Sequence, residues 1–336
     1  MSDGTDHRDL ALQRVDDADE AVEALAAANG GRVALDDLLA GLDRRVRRSR
    51  RVPGRAVHEA WRLAGHEQLT LRWWPQGVTT SADAHDEALG ARRVAMVSSY
   101  AKKLPIHRDR QGSRLTVLDL DAGRAGHVLL VRATADGGVE PLHVHAGGLV
   151  WHRGHLHVAA TGKGLFTFRL ADVVRLADPR AAFGYRLVLP VAWQYRARTA
   201  EGVERFRYSF LGLDHGSAGG PSLLAGEYTN AAARTRRLAR LPLDPITGLP
   251  TGDVELIGSG PLRMQGVAAA GGRVFTSVSQ GRTTRGSVFA DDVEHPHATP
   301  MGNEDLAHSP ADDLLWGVSE HPTARWLFTM RRSYFD

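Results

Sequence analysis

Gln76-Gly77-Val78 and Gln265-Gly266-Val267 are two copies of one pattern, and Gly148-Leu149-Val150-Trp151 and Asp305-Leu306-Ala307-His308 align beneath them. Each is a short apolar strand that reaches a turn and then a second apolar strand. The turns include Arg153-Gly154, Gly271-Gly272 and Asp312-Asp313, residue types that accept the backbone of a tight reversal. The second strands fall at 94–100, 156–161, 274–279 and 314–319, and a further copy runs over 208–214 and continues into 222–228. Recurrence of one supersecondary unit marks a repeat architecture.

Third and fourth strands follow at 115–120 and 127–131, at 165–170 and 185–190, and at 235–241 and 254–257. Four strands per unit make a propeller blade, so the chain reads as an all-β protein, a β-propeller of about five four-stranded blades. The last repeat has only three strands, ending at 326–331, and the unclaimed stretch 69–73 is expected to supply the fourth. Pairing the chain ends in one sheet leaves no open edge. A two-sheet sandwich would accommodate the strands but leaves the glycine-led hairpin unexplained.

Before the repeats, Ala21, Leu25 and Ala28, then Leu35, Leu38, Leu39 and Leu42, have helical spacing, with a break at Asn29-Gly30-Gly31. The arginine-rich run 44–51 leads to Pro53-Gly54. This divides the chain into a charged helical segment and linker, 1–60, and a propeller domain, 61–336. The arginine run could contact phosphates, but it lacks interleaved aromatics and adjoins an acidic helix, so it reads as a solvated helix end or linker.

The chain has 336 residues, of which 43% are hydrophobic and 24% charged, the make-up of a globular protein with a sizeable core. It contains no apolar run long enough to span a bilayer, and its N-terminus is acidic where a secretion signal would be basic and then apolar. The expectation is a cytoplasmic protein with no membrane partner. The net charge of +3 does not argue for a nucleic-acid partner. With no cysteine, disulfides, thiolate ligands and cysteine nucleophiles are excluded.

The stretches 73–84 and 145–151, Gly226-Glu227-Tyr228, Met264-Gln265-Gly266, Glu304-Asp305-Leu306 and Leu315-Trp316 resemble those of an actinobacterial family whose members are known as secreted or hypothetical proteins. The resemblance spans roughly residues 70 to 332 and implies propeller-like repeats. It carries no activity with it. The charged N-terminus departs from the secreted members, which implies a role inside the cell.

In a propeller the inner strands all begin at one mouth of a central channel, the usual place for a ligand. Those positions hold Gln76, His143 and His145, Tyr208 and Ser209, Gln265, and Glu304 with Asp305. His145, Glu304 and Asp305 are the candidate catalytic groups, and Gln76, Gln265, Trp74 and Tyr208 the candidate substrate-binding groups. His143-Val144-His145 has the alternate spacing that would turn both imidazoles to one side of a strand, where they could hold a divalent metal with a third ligand from Glu304 or Asp305. The competing reading is a wet channel mouth whose polar groups satisfy one another.

Adjacent residues in a strand face opposite ways, so one of Glu304 and Asp305 is expected to face the channel, with Asp83, Asp214 or Glu227 as a carboxylate partner of the kind glycosidases use. No serine sits in a nucleophile elbow. Gly162-Lys163-Gly164 is too short for a phosphate loop and reads as a hairpin turn. The pattern therefore points to a small-molecule enzyme of hydrolase, lyase or isomerase type, or a small-molecule-binding protein, with its site at the channel mouth. The rival is a non-catalytic propeller scaffold that takes a protein partner through the N-terminal helices.

Overall fold

The structure is a computed structural model that describes residues 9–63, 65–84, 92–104, 111–216 and 219–336. Its strands form blades arranged about an axis. Blade 1 runs outward through Trp73–Thr80, Val94–Ala101, Ser113–Asp119 and Arg124–Ala133. Blade 2 comprises Leu149–His152, His155–Ala159, Leu165–Arg169 and Trp193–Thr199. Blade 3 comprises Phe210–Asp214, Ser222–Gly226, Arg237–Pro242 and Glu255–Ser259. Blade 4 comprises Met264–Ala270, Arg273–Val278, Ser287–Ala290 and Val293–His295. Blade 5 takes Asn303–Ser309, Leu314–Ser319 and Leu327–Arg331 from the C-terminus and its outer strand, Val57–Leu63, from the N-terminal part. Each inner strand packs on the next and the fifth returns to the first, closing the ring.

The core consists of wedges between blades. Leu149 and Trp151 pack toward blade 1, while Val150 between them packs toward blade 3. Leu306 faces blade 4 and Ala307 faces blade 1. Both faces of an inner strand are buried, so both sets of alternate residues must be apolar, which is why these strands read as unbroken hydrophobic runs.

Close to the axis there is no room for side chains. A Cβ added at Gly148 would lie 1.9 Å from the Leu211 nitrogen, one at Gly212 2.0 Å from the Val267 carbonyl oxygen, and one at Gly266 2.5 Å from the Asp305 Cα. At Gly77 it would lie 2.8 Å from the Gly148 carbonyl carbon. The recurring glycine of the sequence pattern is thus the residue that lets neighbouring inner strands come together.

The first 60 residues differ most from expectation. The two helices form as Asp19–Ala28 and Leu35–Ala40, on either side of the expected break. Leu10–Asp17, however, is a strand that pairs with Trp193–Thr199 as a fifth strand of blade 2. The arginine run is no linker: Arg44–Arg48 is a strand with only Val46 buried, pairing with Val57–Leu63 of blade 5 and with Arg124–Ala133 of blade 1. The closing strand is Val57–Leu63 and not 69–73, so the boundary drawn at residue 60 falls inside a blade. Ala60 and Trp61 carry the apolar alternation that fits the blade 5 wedges. The expected strand at 185–190 is realised as Leu187–Pro190, but it pairs parallel with blade 1, and Trp193–Thr199 takes the outer place in blade 2.

Gly148→Ala should lower the stability of the protein by about 1–3 kcal/mol, the usual cost of overpacking a tight core. Gly162→Ala, where nothing lies within 4 Å of the added Cβ, should leave the urea midpoint nearly unchanged. Equal midpoints for the two variants would refute the close-approach role.

Candidate functional site

Three inner strands carry an irregularity at the same end of the channel. The register shifts between Pro75 and Val78 in blade 1, between Met264 and Gly266 in blade 4, and between Asn303 and Leu306 in blade 5. An unpaired residue in one strand bends it and re-aims its side chain. The re-aimed residues include Gln76, Gln265 and Glu304, and all three line one cavity of about 470 Å³. The repeated Gln-Gly-Val pattern is the sequence trace of this bulge.

His145, Gly147 and Ser209 join them at the cavity wall, together with Tyr100, Lys102, Thr161, Arg207, Tyr228 and Glu320. Four residues of this second group, none of them a candidate site residue in the sequence, share a structural position. Lys102, Thr161, Tyr228 and Glu320 each lie just past the second strand of their blade. In an antiparallel hairpin the end of the second strand lies beside the start of the first. Had the repeats been aligned through that position, the cavity wall would have been found.

Two carboxyls and a cation dominate the electrostatics. Glu304 is buried and accepts a hydrogen bond from Gln265 Nε2 at 3.3 Å. Burial pushes it well above the usual carboxylate range, and the nearby carboxyls of Glu320 and then Asp305 push further. Glu320 accepts from Gln76 Nε2 at 3.3 Å and is also raised, mainly by burial, with Lys102 pulling the other way. Lys102 Nζ sits 3.1 Å from the centre of the Trp74 ring, and burial lowers its pKa.

The His145 imidazole stacks against Tyr100 with ring centres 4.4 Å apart. It reaches solvent through the cavity yet is surrounded by protein, and this desolvation, followed by the Lys102 charge, holds it below its ordinary pKa. It is therefore neutral near pH 7. Burial raises the Tyr100 hydroxyl, which stays protonated.

The other expected site residues go elsewhere. Asp305 does not line the cavity. It is fully buried on blade 5, and its Oδ2 accepts from the main-chain N–H of Val78 in blade 1 at 3.2 Å and of Leu149 in blade 2 at 3.3 Å. Blades 5 and 2 are not neighbours, so this carboxyl spans the axis beneath the cavity. Tyr208 is buried in the wedge between blades 2 and 3, edge-on to Phe206. Trp74 is buried and supports Lys102 in place of a substrate, with its Nε1 donating to the Leu71 carbonyl at 2.8 Å.

His143 and His145 do not meet one metal. Residues 142–148 are not in a strand, and Ala146 has φ +54°, so the alternate-spacing argument does not apply there. His143 lines a different cavity. Among the described residues no group of three or more histidines and carboxylates is placed to hold a metal ion. The proposed carboxylate partners of Glu304 are also engaged away from the cavity: Asp83 with His215 and Thr79, Asp214 with Arg240, and Glu227 with Arg237. Glu320 takes that place.

No family model matches the chain, and no curated protein matches it. Among solved structures, the chain is similar to the GH43_1 enzyme from Xanthomonas citri complexed with xylotriose, with 11% identity, 92% of each chain covered and a TM-score of 0.39. It is also similar to a GH43 β-xylosidase/α-arabinofuranosidase from a compost microbial metagenome, at 10% identity over 83% of this chain and 94% of that one, with a TM-score of 0.39. The β-propeller domain of Cps50 (Swd1) from Myceliophteria thermophila gives 11% identity, 86% and 99% coverage and a TM-score of 0.38. A likeness of this degree assigns neither activity nor ligand to this chain.

A carboxyl raised above its unfolded pKa favours the folded state while protonated, and that contribution is lost as pH rises through the folded value. Glu304 therefore costs stability at neutral and alkaline pH. Thermal unfolding should show Glu304→Gln gaining on the wild type as pH rises from the ordinary carboxylate range through the raised pKa of Glu304. A constant difference across that window would rule out a buried, uncompensated carboxyl at this position.

Proposed function

We propose that this protein is an acid–base enzyme that acts on a small polar molecule at the channel mouth, of hydrolase, lyase or isomerase type. The reading rests on one observation: two carboxyls with raised pKa, Glu304 and Glu320, face the same cavity as an imidazole with a lowered one, His145. Titratable groups whose environments push their pKa values apart provide the acid and the base of a proton-transfer reaction at one pH.

In this arrangement protonated Glu304 donates a proton to the leaving or rearranging atom of the substrate. Neutral His145, across the cavity, accepts one from water or from the substrate. Lys102, held over Trp74, supplies positive charge where negative charge develops. Gln76 and Gln265 fix the orientation of Glu320 and Glu304 by donating to them. The Tyr100 hydroxyl, kept neutral, can donate to a substrate oxygen.

The test is a panel of chromogenic glycosides and esters, together with hydroxy acids followed by NMR for isomerisation or elimination. On the substrate that turns over, Glu304→Gln and His145→Ala should each lower kcat by about 100-fold or more, the usual contribution of a general acid or base. Neither should lower the melting temperature substantially. Activity should fall below the His145 pKa, where the base is protonated, and again above the Glu304 pKa, where the acid is lost. Full activity in both variants would overturn the assignment.

A further inference from the structure

The wedge between blades 1 and 5 contains a cavity of about 50 Å³ with Trp61, Trp73 and Trp326 in its walls. Three polar side chains also line it: Gln68 from the turn Gly65–Gln68, Arg114 from the third strand of blade 1, and Arg325 from the loop before Leu327–Arg331. Most arginines of this chain lie at the surface, where water screens them whether or not an acid is near. Arg114 and Arg325 do not. Among the described residues they are the only buried lysine or arginine side chains, at 4% and 6% exposure, and they share this cavity.

One carboxylate is buried with them. Glu67 accepts from Arg114 Nη2 at 2.5 Å, and its other oxygen lies 3.1 Å from His127 Nε2 and 3.7 Å from the half-exposed Arg44. Burial opposes its charge, but His127 and Arg114 outweigh that and hold it well below the usual carboxylate range. His127 itself is neutral, because burial draws it down to about 4. Arg325 forms no ion pair among the described residues: its Nε donates to the Glu320 carbonyl and its Nη1 to the Glu67 carbonyl, both at 2.8 Å. Burial, with Arg114 adding to it and Glu67 opposing, pulls its pKa to about 10. This part of the interior thus holds two cations against one anion, and a buried charge without a counter-charge is costly.

Each of the three polar side chains has one buried atom with no partner in the protein, namely Arg114 Nε, Arg325 Nη2 and Gln68 Oε1. Two charged donors and one acceptor define what fits. Water satisfies all three but brings no charge. A halide brings the charge but opposes the Gln68 oxygen. A small oxyanion that keeps one O–H does both. The cavity is less than twice the roughly 30 Å³ that a water molecule occupies in the liquid, so it admits only a few heavy atoms. We propose that this cavity binds bicarbonate, whose hydroxyl donates to Gln68 Oε1 and whose other two oxygens accept from Arg114 Nε and Arg325 Nη2. The cavity shares no lining residue with the channel mouth, so the proposal is independent of the acid–base reading.

Isothermal titration and thermal unfolding of the full chain with sodium bicarbonate test it, at an ionic strength held constant with sodium gluconate, whose anion is too bulky to enter. Saturable binding and a rising melting temperature are expected. Nitrate and chloride should bind about tenfold or more weakly, since neither has a proton to give the buried Gln68 oxygen. Arg325→Met should lose the binding. Arg325 also ties down two carbonyls, so the deciding variant is Gln68→Glu, which sets a carboxylate of nearly the same shape in the cavity and should displace bicarbonate while the protein stays folded. Glu304→Gln should bind bicarbonate as the wild type does. The proposal fails if bicarbonate does not bind saturably, if nitrate and chloride act equally, or if folded Gln68→Glu binds bicarbonate normally. It also fails if Lys102→Ala abolishes binding, which would place the ion at the channel mouth.

Discussion

The inner strands of this propeller approach one another so closely that an added Cβ would meet a neighbouring strand within 3 Å at Gly77, Gly148, Gly212 and Gly266. The blades can fan outward, with their apolar wedges filled by leucine, phenylalanine and tryptophan, only because the axis is this narrow. The same narrowness leaves a single polar side chain, Asp305, to span the centre and tie the backbone of blades 1 and 2 to blade 5. A buried carboxyl is costly, and the structure limits that cost by raising its pKa and giving it main-chain donors. The floor of the channel mouth is therefore rigid, as a site that must hold acid and base in register requires.

The bulges that place Gln76, Gln265 and Glu304 stand directly on that floor. A regular strand would turn alternate residues into the wedges on either side, where a glutamine or glutamate would be buried among apolar groups. The local irregularity releases one residue per strand from that alternation and aims it at the mouth. Polar chemistry and apolar packing can then coexist in one short segment such as Gln76-Gly77-Val78.

Much of this was legible in the sequence because the same constraint repeats. The apolar run and the turn recur from blade to blade, and in blades 1 and 4 the residue preceding the glycine marks the mouth, with Glu304 at the same place before Asp305 in blade 5, so Gln76, Gln265 and Glu304 could be grouped without a structure. What stayed hidden lacked a repeating signature. Lys102 and Glu320 belong to the ends of second strands, where blade-to-blade variation is free. Asp305 looked like a site residue because strand alternation allows no residue to point along the axis, whereas a bulge does. His143 and His145 were paired on a strand geometry that the loop at 142–148 does not have. The N-terminal strands were missed for another reason: Arg44–Arg48 buries only Val46, so its pairing is carried by backbone hydrogen bonds that leave no hydrophobic period to read.

The path of that N-terminal part sets the order in which the molecule can be assembled. Leu10–Asp17 edges blade 2, Arg44–Arg48 joins blades 1 and 5, and Val57–Leu63 completes a sheet whose other strands lie between Asn303 and Arg331. On the ribosome the earliest strands emerge well before their latest partners exist. The segment must wait, with its apolar side chains Ala60 and Trp61 uncovered, until Leu327–Arg331 has been made. Such long-range pairing is slow and exposes the nascent chain to aggregation. The arginines flanking Val46 keep one of these waiting strands soluble, and the ring shuts only when the strands between Asn303 and Arg331 arrive.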